Sequence, residues 1–250
     1  MMSWTKWAAP LALVGWTTGC FHAGVPLRSA RVGDAGEVRL GLTWTVAGFT
    51  LGGVDGSEGN STQRSAVAPM AIVPAPVFLL HNVLLDLRVG AADGTEVGAV
   101  LGFQAIGAEV RRQVEDRAER AVAVEAAGEW VPIDGGFRVR SGVRASGQVD
   151  GAWLGGLWLS YGTEAHAVAS PSDGCLLLAC MRGLVRRELR LLALAGGLGQ
   201  TERGELGGGL VGHAILWGGP AVGKPFETSR GDTVHEWVGA HLVFGGQFKP

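Results

Sequence analysis

The sequence predicts an all-β fold, an antiparallel up-and-down transmembrane β-barrel of about ten strands (about 8–12). Three observations lead there. First, mean hydropathy is +0.23 although 18% of residues are charged, and no apolar run could cross a membrane as a helix. The best stretch, 66–80, carries Pro69, Pro74 and Pro76, each of which breaks a helix interior. Second, glycine supplies 42 of 250 residues, against a usual ~7%. An apolar, glycine-rich chain without spanning helices can satisfy its backbone in lipid only as a closed barrel. Third, apolar and polar residues alternate with period two in segment after segment.

The elements follow in chain order. Residues 1–19 read as a secretory signal peptide: one basic residue, Lys6, then a short apolar stretch from Trp7 to Trp16, then small residues up to Gly19. The Gly19–Cys20 junction resembles the lipobox of bacterial lipoproteins, although Thr17 stands where that motif usually has Leu. The resemblance implies cleavage before Cys20, which becomes the new N-terminus, and diacylglycerol, with palmitate, on its thiol. Residues 20–36 then form a lipidated linker, and 37–250 the barrel domain.

Strands are predicted at 37–48, 83–91, 96–103, 106–114, 120–130, 137–147, 152–163, 186–197, 205–217 and 233–248. Several approach the ~9–11 residues that a tilted strand needs to cross a bilayer. In the first strand Val38, Leu40, Leu42, Trp44 and Val46 share one face, and Arg39, Gly41, Thr43 and Thr45 the other. In the sixth strand Arg138, Arg140, Gly142 and Arg144 oppose Phe137, Val139 and Val143. Connections after even strands are brief, whereas 49–82, 164–185 and 218–232 are long loops on the other side. Outer-membrane barrels have short periplasmic turns and long external loops. An even strand number puts both barrel ends on the short-turn side, so the lipid on Cys20 is expected to face the periplasm. The tight hairpin at 103–106 has no strong turn signal, and 96–114 could instead be one long strand. Trp130 and Trp217, with Trp237, fall near outer strand ends and Trp153 near an inner one, as in an aromatic girdle.

The hairpin LDLRVGAADGTEVGAVLGF at 85–103 and the last strand, VGAHLVFGGQF, resemble bacterial outer-membrane β-barrel proteins. The last strand is similar to that family's C-terminal insertion signal, with Phe248 as the closing aromatic followed by Lys249 and Pro250. The resemblance implies fold and outer-membrane location, with the bilayer as partner, and not an activity.

The small-and-charged face carries the candidate chemistry. It places Arg39, Arg88, Arg111, Arg138, Arg140, Arg144 and Arg190 inside with Asp86, Glu96, Glu109, Glu125, Glu129, Glu188 and Glu205. The two signs balance. Charge in a narrow lumen is costly unless paired, so these side chains are expected to cross-link and fill it. Arg39, Arg88, Arg138, Arg140, Arg144, Glu109 and Glu125 are expected to form the centre of this charge network. An ion-selective channel would show an excess of one sign. Cys175 and Cys180 are the thiols left once Cys20 is acylated, and export permits a disulfide between them.

Other patterns carry less. His235 and His241 lie six apart on one strand, about 20 Å by strand rise, too far to share a metal. Arg230-Gly231-Asp232 is too short a match to mean adhesion, and Gly-rich 204–212 lacks a strand-then-helix setting for phosphate. No Ser/His/Asp set has geometric support, so neither a catalytic site nor a cofactor or metal is expected. A net charge of −2 gives no electrostatic case for nucleic acid. Three function classes follow: a barrel lipoprotein with a structural, adhesive or minor transport role; a lipid-tethered periplasmic β-sandwich or lipocalin-like binder of an apolar ligand; and an envelope barrel enzyme. In the second class the apolar faces would turn inward.

Overall fold

The computed structural model describes residues 24–55, 64–70, 83–92, 94–102, 105–131, 136–147, 152–169, 181–223 and 233–250. Its strands are β1 (Val38–Asp55), β2 (Arg64–Met70), β3 (Val83–Ala92), β4 (Thr95–Gly102), β5 (Ala105–Asp116), β6 (Arg120–Val131), β7 (Gly136–Gly147), β8 (Trp153–Ala169), β9 (Met181–Thr201), β10 (Gly204–Gly223) and β11 (Thr233–Phe248). Each strand pairs antiparallel with its neighbours, and β11 returns to pair with β1, closing the sheet. The closed wall has ten strands, as expected. Closure gives every wall strand a backbone partner on both sides over the height that the strands share.

The extra element is β2. Strand β1 pairs β3 through residues 38–44 and β2 through residues 48–54, so β2 takes over the seam where β3 ends. The uncertain hairpin is real: β4 and β5 pair from Leu101↔Ile106 down to Thr95↔Arg112. The expected long loops differ. Much of 49–82, 164–185 and 218–232 is strand, because β1, β8, β9 and β10 continue past the points where polar alternation weakens. Once a ladder is running, the neighbouring strand supplies hydrogen-bond partners whatever the side-chain pattern.

Strand lengths make the wall uneven. Strands β3–β7 have 8–12 residues, whereas β8, β9 and β10 have 17, 21 and 20. The barrel therefore has a low side at β3–β7 and a tall side at β8–β1, both rising from a common rim of short turns.

Hydrophobicity is inverted relative to a water-soluble fold. Leu40, Leu42, Leu87, Val139, Leu159, Leu210, Leu242 and Phe244 point outward and are exposed, while Asp86, Arg88, Glu96, Glu109, Arg111, Glu125 and Arg144 point inward and are buried. Trp130, Trp153 and Trp217 are also on the outer face.

Part of the stretch read as a linker is inside the barrel. Residues 24–30 are buried and run down the lumen, ahead of a turn at 34–37 that feeds β1. Gly36 makes that turn with φ of 82°, a conformation that a side chain would strain. Gly36 N–H donates to Gly90 O at 2.8 Å, which ties the turn to the end of β3.

Candidate functional site: the filled lumen

The lumen is built from two unlike halves with the strap 24–33 between them. Arginines and carboxylates project from β3–β8 on alternate positions, so in-register pairing stacks opposite charges across neighbouring strands. Glu129 pairs across from Arg138, Glu109 stands two residues from Arg111 on β5, and Glu96 lies opposite Arg111. The other half is apolar: Leu154, Trp158, Leu192, Leu194, Leu198, Val211 and Val243 cluster with Val25 and Leu27 of the strap. Burying such a cluster stabilises the strap by roughly 1.5–3 kcal/mol for each fully buried large side chain.

Arg28 is the centre of the charged half. Its guanidinium donates to Asp86 Oδ2 at 3.2 Å and to Glu109, with Glu125 Oε1 at 3.6 Å. Glu109 also meets Arg88 and Arg140, each at 3.4 Å. Arg88 and Arg111 both reach Glu96 at 3.2 Å. Arg144 donates to Glu125 from Nε at 2.6 Å and Nη2 at 3.3 Å, and its Nη1 reaches the carbonyls of Pro26 and Arg28 at 3.0 and 3.1 Å. Toward the long-loop end, Arg138 joins Glu129 and Glu164, and Arg140 lies 3.3 Å from Glu129. Arg190 closes this tier on Glu188 at 2.7 Å.

Trp158 joins the halves. Its indole Nε1–H donates to Glu125 Oε2 at 2.9 Å, and Arg144 Cζ lies 4.9 Å from the ring centroid. The ring needs glycine beneath it: a Cβ on Gly142 would come 2.3 Å from Cδ1, and one on Gly156 would come 2.0 Å from Cη2. The inward glycines of β7 and β8 are thus recesses for a large side chain.

The strap's backbone is held from several strands. Leu27 N–H donates to Thr43 Oγ1 (2.7 Å), Ser29 N–H to Glu205 (3.2 Å), Ala30 N–H to Ser146 Oγ (2.9 Å), Val32 N–H to Gln113 (3.0 Å) and Gly33 N–H to Glu96 (3.1 Å). At the far end Gly24 O accepts from Arg140. An extended chain without a strand partner must satisfy its amides somewhere, and here the wall's side chains do so.

Of the expected network, Arg88, Arg138, Arg140, Arg144, Glu109 and Glu125 are brought together. Arg39 stands apart at the short-turn rim, donating to Glu37 at 2.7 Å and to Arg31 O at 3.0 Å. That rim pair is joined by Lys249 Nζ, 2.9 Å from Glu37 Oε1, so it clasps the start of β1 to the tail beyond β11. The hydrogen bond from Arg39, with help from Lys249 and the Asp34 backbone, holds the Glu37 carboxyl down to about 2 against the cost of partial burial. Sequence reasoning missed Arg28 and the whole strap. A segment held by wall side chains has no ladder and no period-two signature to detect.

His241 meets His213, its diagonal neighbour on β10, with rings stacked at 5.3 Å and nitrogens 3.3 Å apart. Among the described residues, no three His, Cys, Asp or Glu side chains are grouped to hold a metal. Cys20, Cys175, Cys180 and Arg230–Asp232 lie outside the described residues.

Fold and site together define a closed ten-stranded barrel plugged by its own N-terminal strap. Compared with protein-family models and with curated proteins, the chain matches none of either.

Proposed function

We propose that this chain is an outer-membrane β-barrel lipoprotein with a side-chain-filled lumen, acylated on Cys20, and that its role is structural or adhesive and involves neither catalysis nor bulk transport. One observation carries the reading: the wall presents its large apolar side chains outward and keeps its ion pairs inside. In water that arrangement leaves an extensive apolar surface exposed, whereas in a bilayer it is the stable one.

The plugged lumen argues against a pore. Where the strap's Gly24 meets His213 and His241, the free volume is about 20 Å³, below the ~300–1,000 Å³ of ordinary ligand pockets. The outward apolar faces also weigh against a lipocalin-like binder, whose apolar faces would turn inward. Among the described residues, no cluster of nucleophile, base and orienting acid supports the envelope-enzyme reading.

Fractionation with a heat-modifiability gel tests the location and fold in one step. The protein is expected in the outer-membrane fraction, migrating differently before and after boiling. Fatty-acid probe labelling should vanish in Cys20→Ala. Planar-bilayer recording should give no large, stable unitary currents; such currents would remove the plugged-barrel reading.

A further inference from the structure

We infer that the N-terminal lipid is delivered through the barrel to its long-loop end, so that Cys20 anchors in the leaflet opposite the short-turn rim. This rests on the reading of the chain as a membrane barrel lipoprotein, and it reverses the side expected from strand number alone.

The direction of the strap carries the argument. Gly33 bonds to Glu96, in the first turn-proximal positions of β4, and Arg31 reaches Asp116 and the carbonyls of Arg117 and Ala118 in the β5–β6 turn. These contacts put residues 31–33 at the short-turn rim. Going backwards along the chain, Ala30 meets Ser146 near that rim, Arg28 sits at mid-height, and Gly24 lies at the level of Arg138 and Arg140. Arg138 is only the third residue of β7 counted from the long-loop end. The chain therefore climbs the lumen towards that end as it approaches its N-terminus. The way back down is filled by the strap itself and by the buried ion pairs around Arg28.

Reach completes the argument. Cys20 precedes Gly24 by four residues, which span at most about 14 Å when extended. At its upper end the strap touches β7 of the low side, where the Gly24 carbonyl accepts from Arg140 and its α-carbon lies beside the Arg138 guanidinium. From Gly24, the low rim above β7 is within reach, and the short-turn rim, some ten residues of strap below, is not. Acyl chains on Cys20 can cross the low rim into the adjoining leaflet. An anchor of this kind pins the strap from above, while the Glu37–Arg39–Lys249 clasp holds it from below.

The test is made on the full-length protein in Gram-negative cells. One epitope is inserted between Phe21 and His22, and a second, in a separate variant, after Pro250. Antibody on intact cells is expected to stain the N-terminal epitope nearly as strongly as after permeabilisation, and the C-terminal epitope only after permeabilisation. Staining of both epitopes on the same side of the membrane overturns the inference. Because an insertion could disturb folding, His22→Cys in a Cys175→Ser, Cys180→Ser background gives a second reading. Membrane-impermeant maleimide should label it on intact cells, and labelling confined to broken cells overturns the inference as well. Fatty-acid labelling of the same variants separates the two proposals. An acylated protein whose N-terminus is protected sinks only the routing, whereas absence of acylation sinks the lipoprotein reading and the routed anchor with it.

Discussion

Removing Arg144 should be among the most damaging single changes inside the lumen. The residue is fully buried, forms a two-point pair with Glu125, holds two strap carbonyls, and lies against the Trp158 ring. Arg144→Met keeps much of the volume and removes the charge. Breaking a buried pair typically costs ~3–5 kcal/mol, because the remaining charge stays buried. Glu125 would still have Arg111 at 3.2 Å and Arg28 at 3.6 Å, so the lower part of that range is expected, near ~3 kcal/mol. The two lost carbonyl bonds add to it at ~1–3 kcal/mol each if no water enters. Urea unfolding of the barrel in lipid vesicles, followed by tryptophan fluorescence and by gel mobility, measures the change. Adding Glu125→Leu to Arg144→Met should recover part of the loss, with a coupling of ~0.5–3 kcal/mol between the two sites. An Arg144→Met protein within about 0.5 kcal/mol of the parent, the scatter of ordinary surface substitutions, would refute the claim that the lumen is a dry, paired network.

Other outcomes follow from the same geometry. Leu42→Arg places a charge on the exposed apolar face of β1 and should cost ~2–4 kcal/mol if it lies near the bilayer midplane, seen as less heat-modifiable protein in the membrane, while Leu42→Phe should be tolerated. Gly156→Ala drives a Cβ into the Trp158 ring and should destabilise by ~1–3 kcal/mol, a loss that Trp158→Leu in the same chain should partly relieve. The clasp at Glu37 gives a pH signature. Its carboxyl titrates about 2 when folded and at an ordinary 4.5 otherwise, so its contribution is intact above pH 4.5 and fades as pH falls towards 2. Thermal scans from pH 6 to pH 2 should accordingly lose less midpoint in Glu37→Gln than in the parent; equal slopes would mean that the clasp does not form.

Much of the architecture is legible in the chain because each strand carries its own instruction. With apolar residues at every second position, the two faces of a strand are unlike, one turned to the outside of the wall and the other to the interior, and a one-residue slip would reverse both. That is why Leu42 out and Arg140 in were readable, along with the ten-strand wall and the brief connections at 92–95 and 198–204, the second shorter than expected because β9 runs on to Thr201. The balance of charge on the inward face was readable for the same reason, and it led to the expectation of pairing; the described ion pairs include Arg88, Arg140, Arg144, Glu109 and Glu125. Tertiary structure decided the rest. Residues 24–33 have no periodicity, because their amides are satisfied by Thr43, Ser146, Gln113 and Glu96, groups far apart in sequence that only the closed wall assembles. Arg28 looked like one charge in a linker until closure surrounded it with Asp86, Glu109 and Glu125. The apolar half of the lumen was hidden too. On β9 the inward Leu192, Leu194 and Leu198 are larger and more hydrophobic than the outward Ala193 and Ala195 between them, so alternation points the wrong way there, and only the strap's Val25 and Leu27 lying against these leucines explains why they face the lumen.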